Sequence, residues 1–469
     1  MYAMKITRPA LITATALTVA AAAIPFGAQA DESTTTAATA SAIASATPSA
    51  AKTAATTTVT QTVEVAATPE VAPEVDAIGS IPDGDQAGLP KVIDTALRPE
   101  ASGPELQNMP GANAPKADRA STPQNVKPLT EAPKMYGQTK DGKKRDQGWY
   151  EWITKLPGGE AVSVYSESMG RDIPVALIRA TDANGNPIAN APTYYLLNGA
   201  GGGEQNADWI YSAFANVRDT LANEPVNVVV PMEGAFSYYV DWLTVPEEND
   251  YFKGPQMWST FLGTELPNSI EPYMQANDKR AVSGFSMSAT SSLLVAEHNP
   301  GRYAAVGSFS GCAATSTALP SFFVGLTVNR GAQGTQSVTP ENLWGPRGSE
   351  YNRYNDALVM ADNLRDTGIK VYLSSGTGLP AETDMFGYLH NERKLKPLAA
   401  AQNSSTLKVE GGAIEAAMNA CTHDLNTKLT AMGVDVSFNK RPTGTHSWSL
   451  WRDDLAVSWD QVIKPALGL

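Results

Sequence analysis

Ser286 stands in Gly284-Phe285-Ser286-Met287-Ser288, after the apolar run Arg280–Phe285 and before the apolar run Ala289–His298. A strand, a tight turn and a helix in that order form the setting of a nucleophile elbow. The turn is strained, so the residues two before and two after the serine must be small. Gly284 and Ser288 meet that need, although glycine is commoner at the second position. Such a turn lifts the serine hydroxyl above the sheet edge. It also aims the Met287 N–H and the start of the helix at a developing oxyanion. The chemistry this supports is nucleophilic acyl transfer through a covalent serine ester. Ser283 and Ser288 are read as packing or turn residues.

A base is required C-terminal to the nucleophile, after the last strand. His446 in Gly444-Thr445-His446-Ser447-Trp448 lies there. The other histidines fit less well. His298 ends the helix after the elbow, His390 lies in a polar stretch, and His423 sits in a helical stretch beside Cys421. The base needs an acid to orient it and to stabilise its cation. Glu382, Asp384, Glu410, Glu415 and Asp424 all lie between the penultimate strand and His446, and spacing alone does not choose among them. A second oxyanion donor is expected from a loop after an earlier strand. Leu196-Leu197-Asn198-Gly199-Ala200-Gly201-Gly202-Gly203 fits, with Ala200 N–H as the candidate and Gly201 as its neighbour. No lysine follows in the pattern of a phosphate-binding loop.

These groups need a scaffold. Ala161–Ser166 and Asp172–Arg179 read as strands joined at Met169-Gly170. Thr181–Asn190 reads as a polar hairpin turn containing Asn184-Gly185. Thr193–Leu197, Val226–Val230, Arg280–Phe285, Tyr303–Phe309, Ile369–Ser374 and Val434–Asn439 read as further strands. Helical patterns over Asp208–Ala222, Trp258–Asn277 (broken at Pro267), Ala289–His298 and Ile414–Met432 separate them. Two strands and then an alternation of strand and helix predict an α/β architecture, a mostly parallel sheet with an antiparallel start. The stretch from about Ala313 to Ala361, rich in Gly, Pro, Asn and aromatics, breaks this rhythm. An insertion there is placed to shape a substrate entrance.

The chain has 469 residues, enough for one large domain with tails. Lys5 and Arg8 precede the apolar run Leu11–Ile24 and Ala28-Gln29-Ala30, the form of a cleaved signal peptide over residues 1–30. Residues 31–145 read as an Ala/Thr/Pro-rich spacer or extended arm, and from Asp31 to Lys134 they hold no Phe, Tyr or Trp. Such a segment has little to bury against the entropy of ordering, and a spacer through a cell envelope fits it. The globular texture begins at about 146 and runs to 469. Losing Lys5 and Arg8 would leave the chain still more acidic than its formal charge of −13. That composition argues against nucleic-acid partners. Cys312 and Cys421 are the two cysteines, and an exported protein with such a pair is expected to join them. The loop would span about 110 residues, worth up to roughly 4–5 kcal/mol on the chain-entropy account. The four histidines show no ligand-like spacing, so neither a metal site nor a cofactor is expected.

Five blocks carry a resemblance. They are Tyr195–Gly199; Val230-Pro231-Met232-Glu233-Gly234 running to Tyr239–Trp242; Trp258–Pro267; Gly284–Ser288; and Gly444–Trp451. In this order, over roughly 300 residues, the region from Trp149 onward resembles the mycolyltransferases, the family of mycobacterial antigen 85 and its corynebacterial relatives. The resemblance implies an α/β-hydrolase fold and a Ser–Glu–His triad, with the acid on a helix ahead of the histidine. That position falls on Glu415, with Glu410 and Asp424 behind it. It further implies transfer of a mycolyl group from trehalose monomycolate to a second trehalose monomycolate or to arabinogalactan, outside the cytoplasm, with protein hydroxyls left open as acceptors. Mycobacterial members carry an Asp and an Arg that hold the sugar where this chain has Asn198 and Gly201; the resemblance makes these two substrate-binding candidates, with sugar contacts that must differ from those of the family. The glycine-rich loop looks more like the corynebacterial branch. Trp448 is a candidate to stack on sugar or to pack. Phe322, Phe323 and Leu326 are candidates for an acyl-channel wall or for core. A Cys312–Cys421 bridge would brace the acid-bearing helix.

Overall fold

The computed structural model describes residues 123–136, 144–182, 184–211, 217–221, 223–244, 249–332 and 338–469. The signal-peptide reading and most of the spacer therefore lie outside the described residues. So does the middle of the helical pattern 208–222, whose described end is the helix Val217–Leu221.

Nine strands form one sheet among the described residues. They are β1 (Val126–Pro128), β2 (Gly159–Ser166), β3 (Arg171–Ile178), β4 (Thr193–Leu197), β5 (Asn227–Pro231), β6 (Arg280–Phe285), β7 (Ala305–Phe309), β8 (Lys370–Ser375) and β9 (Asp435–Lys440). Their spatial order is β1-β2-β3-β5-β4-β6-β7-β8-β9. The pairings from β1 to β5 through β2 and β3 are antiparallel, and the remainder are parallel. This is the α/β-hydrolase arrangement with one extra edge strand. The strands β4, β5 and β7 are buried at every residue. Helices cover both faces of a parallel sheet, which is why these strands read as unbroken apolar runs.

Three details depart from the sequence reading. The turn over 181–190 does not join neighbouring strands. It closes locally through the Thr181–Pro187 bridge, and β5 lies between β3 and β4. Pro267 does not break its helix. Trp258–Thr260 passes through a wider turn at Phe261–Glu265 into Leu266–Met274, and Pro267 sits in the first turn of that last piece. A loosened turn leaves room for a ring that cannot donate a hydrogen bond. Finally, Pro123–Tyr136, assigned to the arm, lies along the domain. β1 pairs with β2, and Lys134 bridges Asp146.

The insertion folds as the helices Ala318–Gly331, Pro340–Trp344, Glu350–Tyr354 and Ala357–Met360. After β8 the chain forms a helical run from Pro397 to Ala431, with a wider turn at Leu407–Gly411. The helix Trp448–Ser458 closes the far side of the sheet. It brings Trp451 and Leu455 into a core with Tyr194, Trp209, Phe285 and Phe309.

Candidate active site

Ser286 has φ 57° and ψ −123°, between β6 and the helix Met287–Glu297. A non-glycine residue at positive φ is held there by its surroundings. The Ser286 N–H donates to Phe309 O at 2.9 Å. The Ser288 hydroxyl accepts from Phe285 N at 3.1 Å and donates to Leu197 O at 2.9 Å, tying the elbow to the end of β4. A Cβ on Gly284 would fall 2.2 Å from Ser288 O, so only glycine permits this turn. Ser288 thus does more than satisfy a size limit: its hydroxyl staples the turn. Ser283 is a packing residue that accepts from Tyr194 OH at 2.8 Å.

His446 follows β9 and is 6% exposed. Its Nδ1 lies 2.9 Å from Glu415 Oε2 and its Nε2 lies 2.7 Å from Ser286 Oγ. A carboxylate can only accept, so Nδ1 carries the proton and Nε2 is free to accept the serine proton. Glu415 is fully buried on the helix Gly412–Ala431. Its second oxygen accepts from Ser310 OH at 2.8 Å and Gly376 N at 2.7 Å. The remaining acid candidates lie elsewhere. Glu382 and Asp424 are exposed and Glu410 is half-buried. Asp384 is buried but accepts from the Thr445 N–H and the Ser447 hydroxyl, on either side of His446, and not from the imidazole. The other histidines have partners of their own: His298 stacks on Tyr354, His390 on Phe386, and His423 packs against Phe438.

The glycine-rich loop lies against the elbow. A Cβ on Gly199 would meet the Phe285 ring at 2.5 Å. Gly199 O accepts from Gly202 N at 3.2 Å and Ala200 O accepts from Phe236 N at 2.9 Å. These bonds fix the planes of the two peptides flanking Ala200 and so the direction of its N–H. The Met287 N–H sits in the first turn of its helix, where no intrahelical acceptor exists. Behind the loop, Glu204 is fully buried and accepts from Gly234 N at 2.8 Å and Ala235 N at 3.1 Å. Burial, followed by the nearby Glu233 carboxylate, pushes the Glu204 carboxyl up to about 7. Glu233 itself is paired with Arg171 at 3.0 Å. Among the described residues no group of His, Cys, Asp and Glu is placed to hold a metal ion.

The Esterase family, described as "Putative esterase", matches residues 166–460. The diacylglycerol acyltransferase/mycolyltransferase Ag85A of Mycobacterium leprae (strain TN) is 30% identical over 301 residues, 63% of this chain and 80% of that protein. This chain belongs to the antigen 85-like mycolyltransferase family. The Ag85A of Mycobacterium tuberculosis (strain ATCC 25618 / H37Rv) is 29% identical over 297 residues, 62% of this chain and 77% of that one. The solved structure of Mycobacterium tuberculosis MPT51 (FbpC1) superposes with a TM-score of 0.49 at 22% identity, over 65% of this chain and 98% of that chain.

Within this mycolyltransferase-family domain, the remaining residues singled out in the sequence take the following places. Asn198 is fully buried, and its amide is spent on Pro231 O at 2.9 Å and Trp209 N at 3.1 Å. It braces the loop and offers nothing to a sugar. Trp448 is half-buried and packs on one side, with ring centroids 4.7 Å from Phe285, 5.3 Å from Trp451 and 5.6 Å from Trp209. Gly201 is half-buried at the loop bend, where a Cβ would meet Gln205 Oε1 at 2.8 Å. Phe322 and Leu326 are 59% and 50% exposed and Phe323 is half-buried, so the core reading fails for the first two. Leu319, one turn earlier on the same helix, is also exposed. Cys312 and Cys421 are joined by a disulfide, with Cα atoms 4.9 Å apart. Ser310, Gly376 and Asp384 were not singled out for these roles by sequence reasoning. Nothing local marks them, since each acts on a partner far along the chain.

Proposed function

We propose that this chain is an exported serine acyltransferase. It moves a mycolyl group from trehalose monomycolate to an acceptor hydroxyl through an acyl-Ser286 intermediate. The observation that carries the reading is the unbroken line Ser286 Oγ–His446–Glu415, with contacts of 2.7 and 2.9 Å.

His446 Nε2 takes the Ser286 proton as Oγ attacks the donor ester carbon. The N–H groups of Met287 and Ala200 receive the oxyanion. Glu415 stabilises the imidazolium, its free oxygen already held by Ser310 and Gly376. The imidazolium returns its proton to the departing trehalose oxygen as the C–O bond breaks. An acceptor hydroxyl then enters, loses its proton to His446 and attacks the acyl-serine, and the collapse of that intermediate frees Ser286. The acceptor is a second trehalose monomycolate, arabinogalactan or a protein hydroxyl. Transfer outcompetes hydrolysis only when water is kept from the acyl-enzyme. No helix among the described residues is long and apolar enough to cross a membrane. The envelope location rests on residues 1–30 acting as a signal peptide and 31–122 as a spacer.

Incubation of the mature chain with synthetic trehalose monomycolate tests this reading. Trehalose dimycolate and free trehalose are the expected products. Free fatty acid alone, with no dimycolate and no acylated acceptor, would make the chain a secreted esterase.

A further inference from the structure

We propose that Asp384 is a positioning residue for His446, a second buried carboxyl that grips both backbone neighbours of the catalytic ring; this rests on the reading of Ser286 and His446 given above. Asp384 is fully buried. Its Oδ2 accepts from Ala381 N at 2.9 Å and from Thr445 N at 3.3 Å. Its Oδ1 accepts from the Ser447 hydroxyl at 3.3 Å. Thr445 and Ser447 are the residues immediately before and after His446.

The grip extends outward. Ser447 Oγ lies 2.8 Å from Ser449 Oγ, which accepts from Thr383 OH at 3.0 Å. The strand-end segment around Asp384 also binds the loop ahead of the histidine. Gly444 N donates to Leu379 O at 2.6 Å and Gly378 N donates to Gly444 O at 2.9 Å. From the opposite side the His446 N–H donates to Gly411 O at 3.0 Å, on the helical run that carries Glu415.

No cation pairs with Asp384 among the described residues. An acidic group taken out of water without a counter-charge is costly unless hydrogen bonds to it do structural or chemical work. Its three donors all come from the turn carrying it or from the histidine loop, so its effect falls on the placement of residue 446. Glu415 sets the tautomer and rotation of the imidazole. Asp384 sets where the ring is hung. A displacement of about 1 Å at a reacting group lowers rate on the order of 10²-fold.

The test is the rate at which a serine-reactive phosphonate labels Ser286, together with kcat and KM for an ester substrate. Both are measured well below the unfolding midpoint of each variant. Asp384→Ala is expected to slow labelling and lower kcat by roughly 10- to 100-fold with KM little changed. Asp384→Asn keeps an acceptor for Thr445 N–H and gives Ser447 Oγ a donor, so it should recover most of the rate. Ser447→Ala removes one arm of the grip and remains informative should Asp384→Ala not fold; a several-fold loss is expected. A purely structural role would lower the midpoint while the folded variants label at the wild-type rate. Wild-type labelling in both Asp384→Ala and Ser447→Ala, or in Ser447→Ala where Asp384→Ala does not fold, overturns the proposal and leaves the Ser286 reading intact. Wild-type protein that resists labelling would overturn both.

Discussion

Ser310 donates its hydroxyl to Glu415 Oε1 at 2.8 Å, on the same carboxylate whose other oxygen accepts the hydrogen bond from His446 Nδ1. Ser310 follows β7 at φ 52°, and Gly376, the second donor, follows β8. Two neighbouring strands thus end by delivering a donor each to one acid. The free oxygen of Glu415 is satisfied twice before it acts on the imidazole. Ser310→Ala removes a bond to a charged, buried acceptor, an interaction worth about 1.5–3 kcal/mol. Steady-state kinetics on an ester substrate should show kcat reduced roughly tenfold to a hundredfold, with KM nearly unchanged. An unaltered kcat would mean that Gly376 alone holds the acid.

The disulfide sits two residues beyond Ser310 and six beyond Glu415, joining the two segments that meet at the acid. Thr422 OH donates to Gly311 O at 3.3 Å beside it. Replacing both cysteines by serine, or adding reductant, should lower unfolding stability by up to about 4–5 kcal/mol on the chain-entropy account. The thermal midpoint with and without reductant reads this directly. A midpoint indifferent to reductant would show that the link contributes nothing to stability.

Glu204 carries a pH signature. Its folded value lies near 7 against an ordinary value of 4.5, because burial disfavours the anion and Glu233 adds like charge. The folded state therefore holds this proton more tightly than the unfolded state. Stability from this group is lost as pH rises from about 4.5 to about 7 and then levels off. Asp208, also pushed by burial up to about 7, acts in the same direction. Tyr136, whose N–H donates to Glu204 O, and the buried Tyr239 also feel the Glu204 charge, while Arg171 pairs with Glu233. Glu204→Gln should flatten, without abolishing, the fall in unfolding midpoint between pH 5 and pH 8. A slope identical to wild type would contradict the assignment.

The stretch before residue 146 is part of the machine. Tyr136 N donates to Glu204 O at 3.1 Å, and Asn206 Nδ2 donates to Met135 Sδ at 3.0 Å, both at the glycine-rich loop. A chain beginning at Pro123 retains these contacts and should match one beginning at Asp31 in ester turnover. A chain beginning at Asp146 should unfold at lower temperature and turn over more slowly, as the loop carrying Ala200 loses its backing. Equal kcat for the two shorter chains would contradict this.

The legible parts of the sequence were those governed by local rules. The elbow must have small residues around Ser286, and buried parallel strands must read as apolar runs, so β4 to β8 and the elbow turn could be placed within a residue or two. His446 followed from chain order, and Glu415 only from family resemblance, because five carboxylates satisfied the same spacing. The strand β1 was hidden because three residues ending in proline carry no periodicity. The helix Pro397–Thr406 was hidden because it buries only the small residues Ala400 and Ser404 and leaves Leu398 exposed, so no apolar stripe marks it. Asn198 was misread because its position in the family suggested sugar contact, whereas its burial is decided by Trp209 and Pro231, distant in sequence or on another strand. Donors such as Ser310 and Asp384's partners are set by which strand ends meet, and that is a property of topology.

Acyl-enzyme trapping bears most directly on the central claim. Mature protein mixed briefly with synthetic trehalose monomycolate, then quenched and mapped by peptide mass spectrometry, should carry the mycolyl mass on the Ser286 peptide. The adduct should discharge onto an added sugar acceptor and be absent from Ser286→Ala. Turnover that persists in Ser286→Ala, or an acyl group found on a different residue, would contradict the account.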